Sequence, residues 1–354
     1  MKIAIDRQID TKVPGLAIAA VDADGVLWSE GFGHANLNTG LGMTPGRVCN
    51  WFSMTKLVTA TAVVQLADEG LLDLDAPVAS YYEPFRMTRP AARAEAATVR
   101  QLLCHSSGLT NPFPLRWVHP ATEPGPTRSE FVRRLIERHG RLRFDPDDRA
   151  AYSNLGYLVL GEIIETVSGT TFEDRIQRRI LDPLDMNRTG FTTDSSSDWA
   201  TPYQRRRSPL GVLLPVLLPR NLIGPASGSY RSLRPFYVDG AAYGGLVGPV
   251  TDAARFLQAH VGDGTLDGVR VLSADSTQAM RRIIASGKKL QVGLGWFRRG
   301  RRPDQRFVEH LGGGAGFWSC MRIYPDHGFG VVIMGNATAY DHHAIVEALL
   351  REFR

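Results

Sequence analysis

Ser53 and Lys56 set a hydroxyl and an amine one helical turn apart. From Ser53 to Glu69 the chain has no Gly and no Pro, and apolar residues recur at Val58, Ala62 and Leu66 and at Val63 and Ala67. That spacing predicts a helix stopped by Gly70. Ser53 then lies at the helix N-terminus, where backbone N–H groups lack partners and favour negative charge. Lys56 shares its face, so the amine can reach the Ser53 hydroxyl. A serine becomes a nucleophile only beside a base, and a lysine in apolar surroundings loses proton affinity and can help supply one. Alone, the pair is also a common N-cap pattern, so its meaning depends on the rest of the chain.

Two further stretches carry usable chemistry. Tyr152-Ser153-Asn154 precedes the apolar run Leu155 to Val167, which reads as a helix closed by Ser168-Gly169. A tyrosine on the loop before a helix can be aimed into a cleft, and Asn154 offers a donor and an acceptor. The bland alternative makes Asn154 an N-cap and Tyr152 a packing residue. His310-Leu311-Gly312-Gly313-Gly314 closes a predicted strand. Glycines there let a substrate approach the backbone, and an exposed N–H could donate to an oxyanion. Otherwise they form a turn beside a surface histidine. No G-x-S-x-G segment occurs, which removes the usual α/β-hydrolase signature.

The elements that must position these groups fall in a simple order. Leu16 to Val21 and Val26 to Ser29 read as a hairpin around Asp22-Ala23-Asp24-Gly25. Helices are predicted over Thr98–Leu103, Glu130–His139 (capped near Ser129), Leu155–Val167 and Phe172–Leu181, and again from Thr251 as cap. Strands are predicted over Val292–Phe297, Arg306–Glu309, Phe317–Tyr324 and Phe329–Met334, and Ala344–Phe353 reads as a closing helix. The economical architecture is α+β: an antiparallel sheet built from both chain ends and flanked by helices, with a mainly helical domain inserted. Residues 1–75 plus 245–354 would form the sheet domain with Ser53, Lys56 and His310; 76–244 would carry Tyr152 and Asn154. The apolar stretch Leu210 to Pro219 holds two prolines, which argue against a long helix. It reads as a buried or pocket-covering loop, with a membrane-surface contact or a subunit interface as alternatives.

Composition narrows the class. The 354 residues are 43% hydrophobic and 22% charged, ample for a large core. Three cysteines predict no disulfide framework and a reducing compartment. Early charges at Lys2, Asp6 and Arg7 argue against a signal h-region, and no apolar run approaches the ~18–20 residues that span a bilayer. The expectation is a cytoplasmic protein without a membrane span. The net charge of +5 is modest. The clusters Arg205–Arg207 and Arg298-Arg299-Gly300-Arg301-Arg302 read as solvated loops, since no nucleic-acid motif accompanies them. The other histidines show no metal-ligand spacing, and Asp341-His342-His343 reads as the solvated start of the last helix.

In order along the chain, Ser53-x-x-Lys56, Tyr152-x-Asn154 and His310-x-Gly312 resemble the motifs of the serine β-lactamase and penicillin-binding protein superfamily. The pattern is most similar to the class C β-lactamase-like branch, with its family VIII carboxylesterases and D-aminopeptidases. Val13 to Leu16, Leu102 to Leu109, Tyr152 to Gly161 and Tyr243 to Val247 support the resemblance, and 192–240 is its weakest part. The resemblance implies acylation of Ser53, with Lys56 and Tyr152 sharing its proton. It implies an oxyanion between the N–H groups of Ser53 and Gly313, and Asn154 holding Lys56 and the acyl side chain. It implies no metal or organic cofactor, and a small ester, amide or lactam as partner, leaving a homo-oligomer open.

One departure matters. Many relatives carry Lys where this chain has His310. Loss of a cation ~6 Å from a phenolate removes about 3 kcal/mol at an effective dielectric of ~20. Weak recognition of substrate carboxylates, a Tyr152 harder to ionise and activity rising towards alkaline pH are therefore expected. The leading expectation is a carboxylesterase-like serine hydrolase with weak β-lactamase activity. A genuine β-lactamase or D-amino-acid peptidase is one alternative, and a catalytically quiet scaffold of the same fold is another.

Overall fold

The computed structural model describes residues 1–9, 11–87, 97–109, 111, 112, 116–193, 198–300 and 306–354. Its frame is a nine-stranded antiparallel sheet in the order β4-β5-β6-β7-β8-β9-β1-β2-β3. These are β1 (Gly15–Val21), β2 (Val26–Asn36), β3 (Leu41–Gly42), β4 (Ala285–Ser286), β5 (Leu290–Val292), β6 (Phe297–Arg299), β7 (Val308–Gly314), β8 (Phe317–Tyr324) and β9 (Phe329–Gly335). β1 pairs with β9 from Leu16↔Gly335 to Val21↔Gly330, so the two chain ends meet in the centre of the sheet.

The sequence of β1, Gly-Leu-Ala-Ile-Ala-Ala-Val, is apolar throughout because both faces are covered. Leu16, Ile18 and Ala20 pack into a core with Ile5 of helix α1 (Lys2–Ile9) and Ile345 and Leu349 of the last helix. Ala17, Ala19 and Val21 face the larger core, which holds Leu57 and Val63 and also Phe256. Helix α2 (Thr55–Asp68) crosses that core and is buried on every side from Thr55 to Leu66. Its polar side chains find backbone partners inside: Thr59 donates to Ala242 O at 2.7 Å, and the Gln65 amide to Val271 O at 2.8 Å. Between α2 and β4 lie α3 (Val99–Leu103), α4 (Arg128–His139), α5 (Asn154–Ser168), α6 (Phe172–Ile176, continued by a π-helical turn), α7 (Pro209–Leu217), α8 (Val250–Val261) and α9 (Ala274–Arg281). α10 (His342–Phe353) closes the chain.

Several expectations need correction. Val292–Phe297 is not one strand: Gly293 N–H bonds Trp296 O at 2.8 Å and turns the chain between β5 and β6. The strand predicted at Arg306–Glu309 is β7, which runs through His310 to Gly314. Helix α8 starts at Val250 after Pro249 rather than being capped by Thr251. α4 starts after Thr127, not at Ser129. The stretch expected to be a loop forms the short helix α7, with Pro215 inside it and Pro219 beyond its end; Pro209 sits in the first turn, where no N–H is needed, and Ser208 Oγ caps Gly211 N–H at 3.0 Å. His342 is buried, and its Nδ1 accepts from Trp318 Nε1 at 3.2 Å, so the start of α10 is not simply solvated. The three cysteines are buried and free. Arg301 and Arg302 lie outside the described residues. No helix among the described residues is long and apolar enough to cross a membrane.

Glu309 and Arg322 form an ion pair at 2.7 Å with side chains 1% and 0% exposed. Removing one partner of such a pair strands a charge in the core. Glu309→Ala is therefore expected to lose about 3–5 kcal/mol in denaturant unfolding. By contrast, Glu137→Ala, which breaks a pair on the surface of α4, should change stability by less than about 1 kcal/mol.

Candidate active site

Phe52, Ser53 and Met54 form a 3₁₀ turn that runs into α2. Phe52 has φ +46, a region costly for a bulky side chain, and such strain persists only where packing holds it. The holding is visible. The Phe52 ring lies 6.1 Å from Phe236 and 6.5 Å from Phe317. Trp51 is anchored by Trp51 N–H to Leu246 O at 2.9 Å and by Nε1 to Gly248 O at 3.3 Å. The glycines of β7 make room for the turn. A Cβ on Gly312 would meet Trp51 O at 2.1 Å, and one on Gly314 would meet the Phe52 ring at 2.1 Å.

Ser53 and Lys56 meet as the spacing predicts. Lys56 Nζ lies 3.0 Å from Ser53 Oγ and donates to Tyr243 O at 2.6 Å. Lys56 is fully buried, and among the described residues no carboxylate pairs with it. The rings of Tyr152, Tyr243 and Tyr157 lie 4.9, 5.2 and 5.5 Å from Nζ. Their faces favour the ammonium, but burial outweighs them and holds the amine well below its ordinary pKa. Tyr152 is brought to the same place by the turn before α5, and its hydroxyl interacts with Ser53. Burial pushes that phenol above its ordinary value, against the pull of Ser53 and Arg299.

His310 is fully buried rather than a surface residue. Its Nδ1 lies 3.0 Å from Leu311 O, so the proton sits on Nδ1, and Nε2 has no partner among the described residues. Burial first, then Lys56, drives its pKa well below the usual histidine value. It packs 4.5 Å from Phe297 and 6.2 Å from Tyr152 by ring centroids, as a neutral wall. Asn154 is the first residue of α5, whose cap is Ser153. Among the described residues its Oδ1 has no hydrogen-bond partner, so the expected bond from Lys56 to that oxygen does not form; the residue lines the cavity instead.

That cavity, about 70 Å³, is lined by Ser53, Asn154, Tyr243, Gly313 and Gly314 and by the apolar side chains of Phe52, Val118, Leu218, Phe236 and Val238. Gly312 is not among its walls. A second groove of about 550 Å³ opens beside Tyr152 and is lined by Lys288, Lys289 and Arg299. Leu218 comes from the segment expected to cover a pocket, and Val118 from a strand, Val118–Pro120, that pairs with Phe236–Val238.

Residues not singled out as site residues complete the site. His105 stacks 4.5 Å from Tyr152, and its Nδ1 accepts Ser153 N–H at 3.2 Å, fixing the loop that carries the phenol. Burial lowers its pKa to about 3. Tyr243 supplies the carbonyl for Lys56 through its backbone, which no side-chain pattern announces. Away from the site, Glu309, His342 and His343 could by type hold a metal. However, Arg322 donates to His343 Nδ1 at 2.6 Å and Trp318 to His342 Nδ1. Both rings therefore carry their protons on Nε2, and the cluster is a network around a fixed guanidinium.

An antiparallel sheet from both chain ends, helices on its faces, and a Ser–Lys pair at the head of a buried helix facing a tyrosine from an intervening helical stretch define the β-lactamase/transpeptidase-like fold. The chain belongs to the Beta-lactamase family, a family of serine hydrolases, whose profile matches residues 2–352. It is 30% identical over 340 residues to penicillin-binding protein 4 of Amycolatopsis lactamdurans, covering 92% of this chain and 81% of that one. Among solved structures, the octameric penicillin-binding protein homologue from Pyrococcus abyssi superposes with TM-score 0.79 at 25% identity, covering 99% of this chain and 76% of that chain. The D-amino acid amidase of Ochrobactrum anthropi SV3, complexed with L-phenylalanine, superposes with TM-score 0.80 at 22% identity over 100% of both chains.

The close approach at Gly312 yields a test. Gly312→Ala pushes Trp51 and with it Ser53 away from Lys56. A displacement of ~1 Å at reacting groups costs about 10²-fold. kcat/KM for an activated ester should fall by that order, measured alongside thermal unfolding to separate it from loss of fold.

Proposed function

We propose that the protein hydrolyses small esters or amides with an uncharged, apolar acyl group through an acyl-enzyme on Ser53. The observation that carries this is the 3.0 Å approach of a buried amine without a carboxylate partner to the Ser53 hydroxyl. Held neutral by burial, Lys56 takes the Ser53 proton as Oγ bonds the acyl carbon. The oxyanion is received by the N–H groups of Ser53 and Gly313. Tyr152, kept protonated, passes a proton to the leaving group as its bond to the acyl carbon breaks. Water then attacks the acyl carbon and gives a proton to the Tyr152 oxygen, while Lys56 returns its proton to Ser53 Oγ as that ester bond breaks and the acid leaves. The cavity's small volume and its Phe52, Val118, Phe236 and Val238 walls suit a short acyl chain. In this reading residues 1–75 and 245–354 supply Ser53, Lys56 and His310, while 76–244 supply Tyr152 and Asn154.

A second reading has specific support. His310 gives up the cation that a lysine would provide, but Lys288, Lys289 and Arg299 line the groove beside Tyr152. A leaving group with a carboxylate fits there, as in peptides and lactams, and two of the relatives are named as penicillin-binding. The octameric relative also keeps a homo-oligomer of this chain open.

The first test is intact-mass labelling with a fluorophosphonate, followed by aryl esters, a chromogenic cephalosporin and D-amino amides. Wild type should gain one adduct and hydrolyse the short esters best, and Ser53→Ala should lose both. Hydrolysis that survives Ser53→Ala sinks the assignment. If the second reading holds, Arg299→Ala raises KM for carboxylate-bearing substrates and leaves uncharged esters unaffected.

The pH profile distinguishes the proton carriers. The competent form has Lys56 neutral and Tyr152 protonated. kcat/KM for an uncharged ester should rise with pH as Lys56 sheds its proton, below the ordinary lysine range, and then stay level. A fall is expected only above the ordinary tyrosine value, since burial raises the Tyr152 pKa. A profile that instead climbs without limit through pH ~10 assigns the base to the tyrosinate.

A further inference from the structure

Helix α7 presents an apolar face to solvent. Val212, Leu213 and Val216 are 68%, 52% and 67% exposed, while Leu214 and Leu218 point inward. On a helix these exposed positions share one face, next to the exposed Pro209. Three large aliphatic side chains projecting together are unlike the scattered exposed residues of an ordinary surface. Their surroundings are cationic. From Trp199 to Val238 the chain holds six arginines and no Asp, Glu or Lys. Those six charges exceed the net +5 of the whole chain, so the rest of the molecule is close to neutral. Arg206 and Arg207 are exposed just before α7, and Arg220 just after it. The exposed Arg116 joins them by donating to Val216 O at 3.1 Å. None of these four pairs with a carboxylate among the described residues. Glu123, which accepts from Asn221 at 3.1 Å, is the acidic group in recorded contact with this segment.

We propose that α7 and its flanking arginines form a face that docks on an anionic lipid bilayer, with Val212, Leu213 and Val216 in the interface and the arginines against the headgroups. The chemistry is that of a helix lying in a membrane interface, where apolar burial and attraction to anionic lipid add. A second copy of this chain fits less well. A two-fold contact would set the same arginines against each other, and the segment carries no acid to answer them. A neutral apolar partner would leave the arginines without function. The docked face also adjoins the active-site cavity, because Leu218, directly after α7, is one of its walls. The proposal stands on exposure and charge and does not rest on the hydrolase assignment.

The test is co-sedimentation of the full chain with vesicles of phosphatidylcholine alone and of phosphatidylcholine with phosphatidylglycerol, at low and high salt. Wild type should partition at least about tenfold more strongly onto the anionic vesicles, and the preference should fall as salt rises. Val212→Glu with Val216→Glu, and separately Arg206→Glu with Arg207→Glu, should each lower partitioning by about tenfold or more. None of these positions touches Ser53 or the cavity, so hydrolysis of a soluble ester should be unchanged, which also reports that the variants are folded. The wild-type salt dependence needs no variant and stands if one misfolds. Equal partitioning onto both vesicle types, or none, overturns the proposal. So does wild-type binding in both double variants. A wild-type oligomer that Val212→Glu with Val216→Glu dissociates, without vesicle binding, overturns it in favour of a second copy.

Discussion

The site depends on one unfavourable act, the burial of Lys56 without a counter-ion. An ammonium taken from water without a paired carboxylate costs several kcal/mol, and the group escapes that cost by giving up its proton. The carbonyl of Tyr243 and the hydroxyl of Ser53 can serve either form of the amine. A carboxylate nearby would have kept Lys56 charged and useless as a base. The apolar walls of α2, buried on every side, are thus part of the chemistry as well as of the core.

The second constraint is distance between backbones. Trp51 to Met54 must lie against β7 so that Ser53 and Gly313 can face one cavity. That approach is closer than any Cβ allows, which explains glycine at 312 and 314. It also forces Phe52 into a left-handed conformation. The strain is held by Phe236 and Phe317 on one side and the Trp51 anchors on the other. Strand, turn and helix are therefore one mechanical unit, and a disturbance in any of them reaches the nucleophile.

Histidine at 310 changes the electrostatics without emptying the position. A neutral, fully buried ring fills the space beside Tyr152, and Lys288, Lys289 and Arg299 line the groove that opens at the same phenol. The expectation that the chain handles carboxylates poorly followed from residue 310 alone. Charge acts through space, however, and the groove beside Tyr152 gathers Lys288 and Lys289 from the turn between β4 and β5 and Arg299 from β6.

Much was legible in the chain itself. The Ser53–Lys56 contact follows from helix geometry, since residues three apart must adjoin. Strands at both ends with helices between follow from periodicity, and β8 was readable to the residue. What failed was decided in one case by a local turn and otherwise by contacts distant in sequence. A glycine pair splits β5 from β6, which periodicity reads as one strand. Buried partners claim His310 and His342, which composition alone leaves at the surface. Lys56 bonds the carbonyl of Tyr243, almost ninety residues after Asn154, rather than Asn154 Oδ1. Residue types and local spacing thus determined which groups can react. Only the tertiary structure decided their protonation and their partners, because desolvation and close approach depend on what the fold brings alongside.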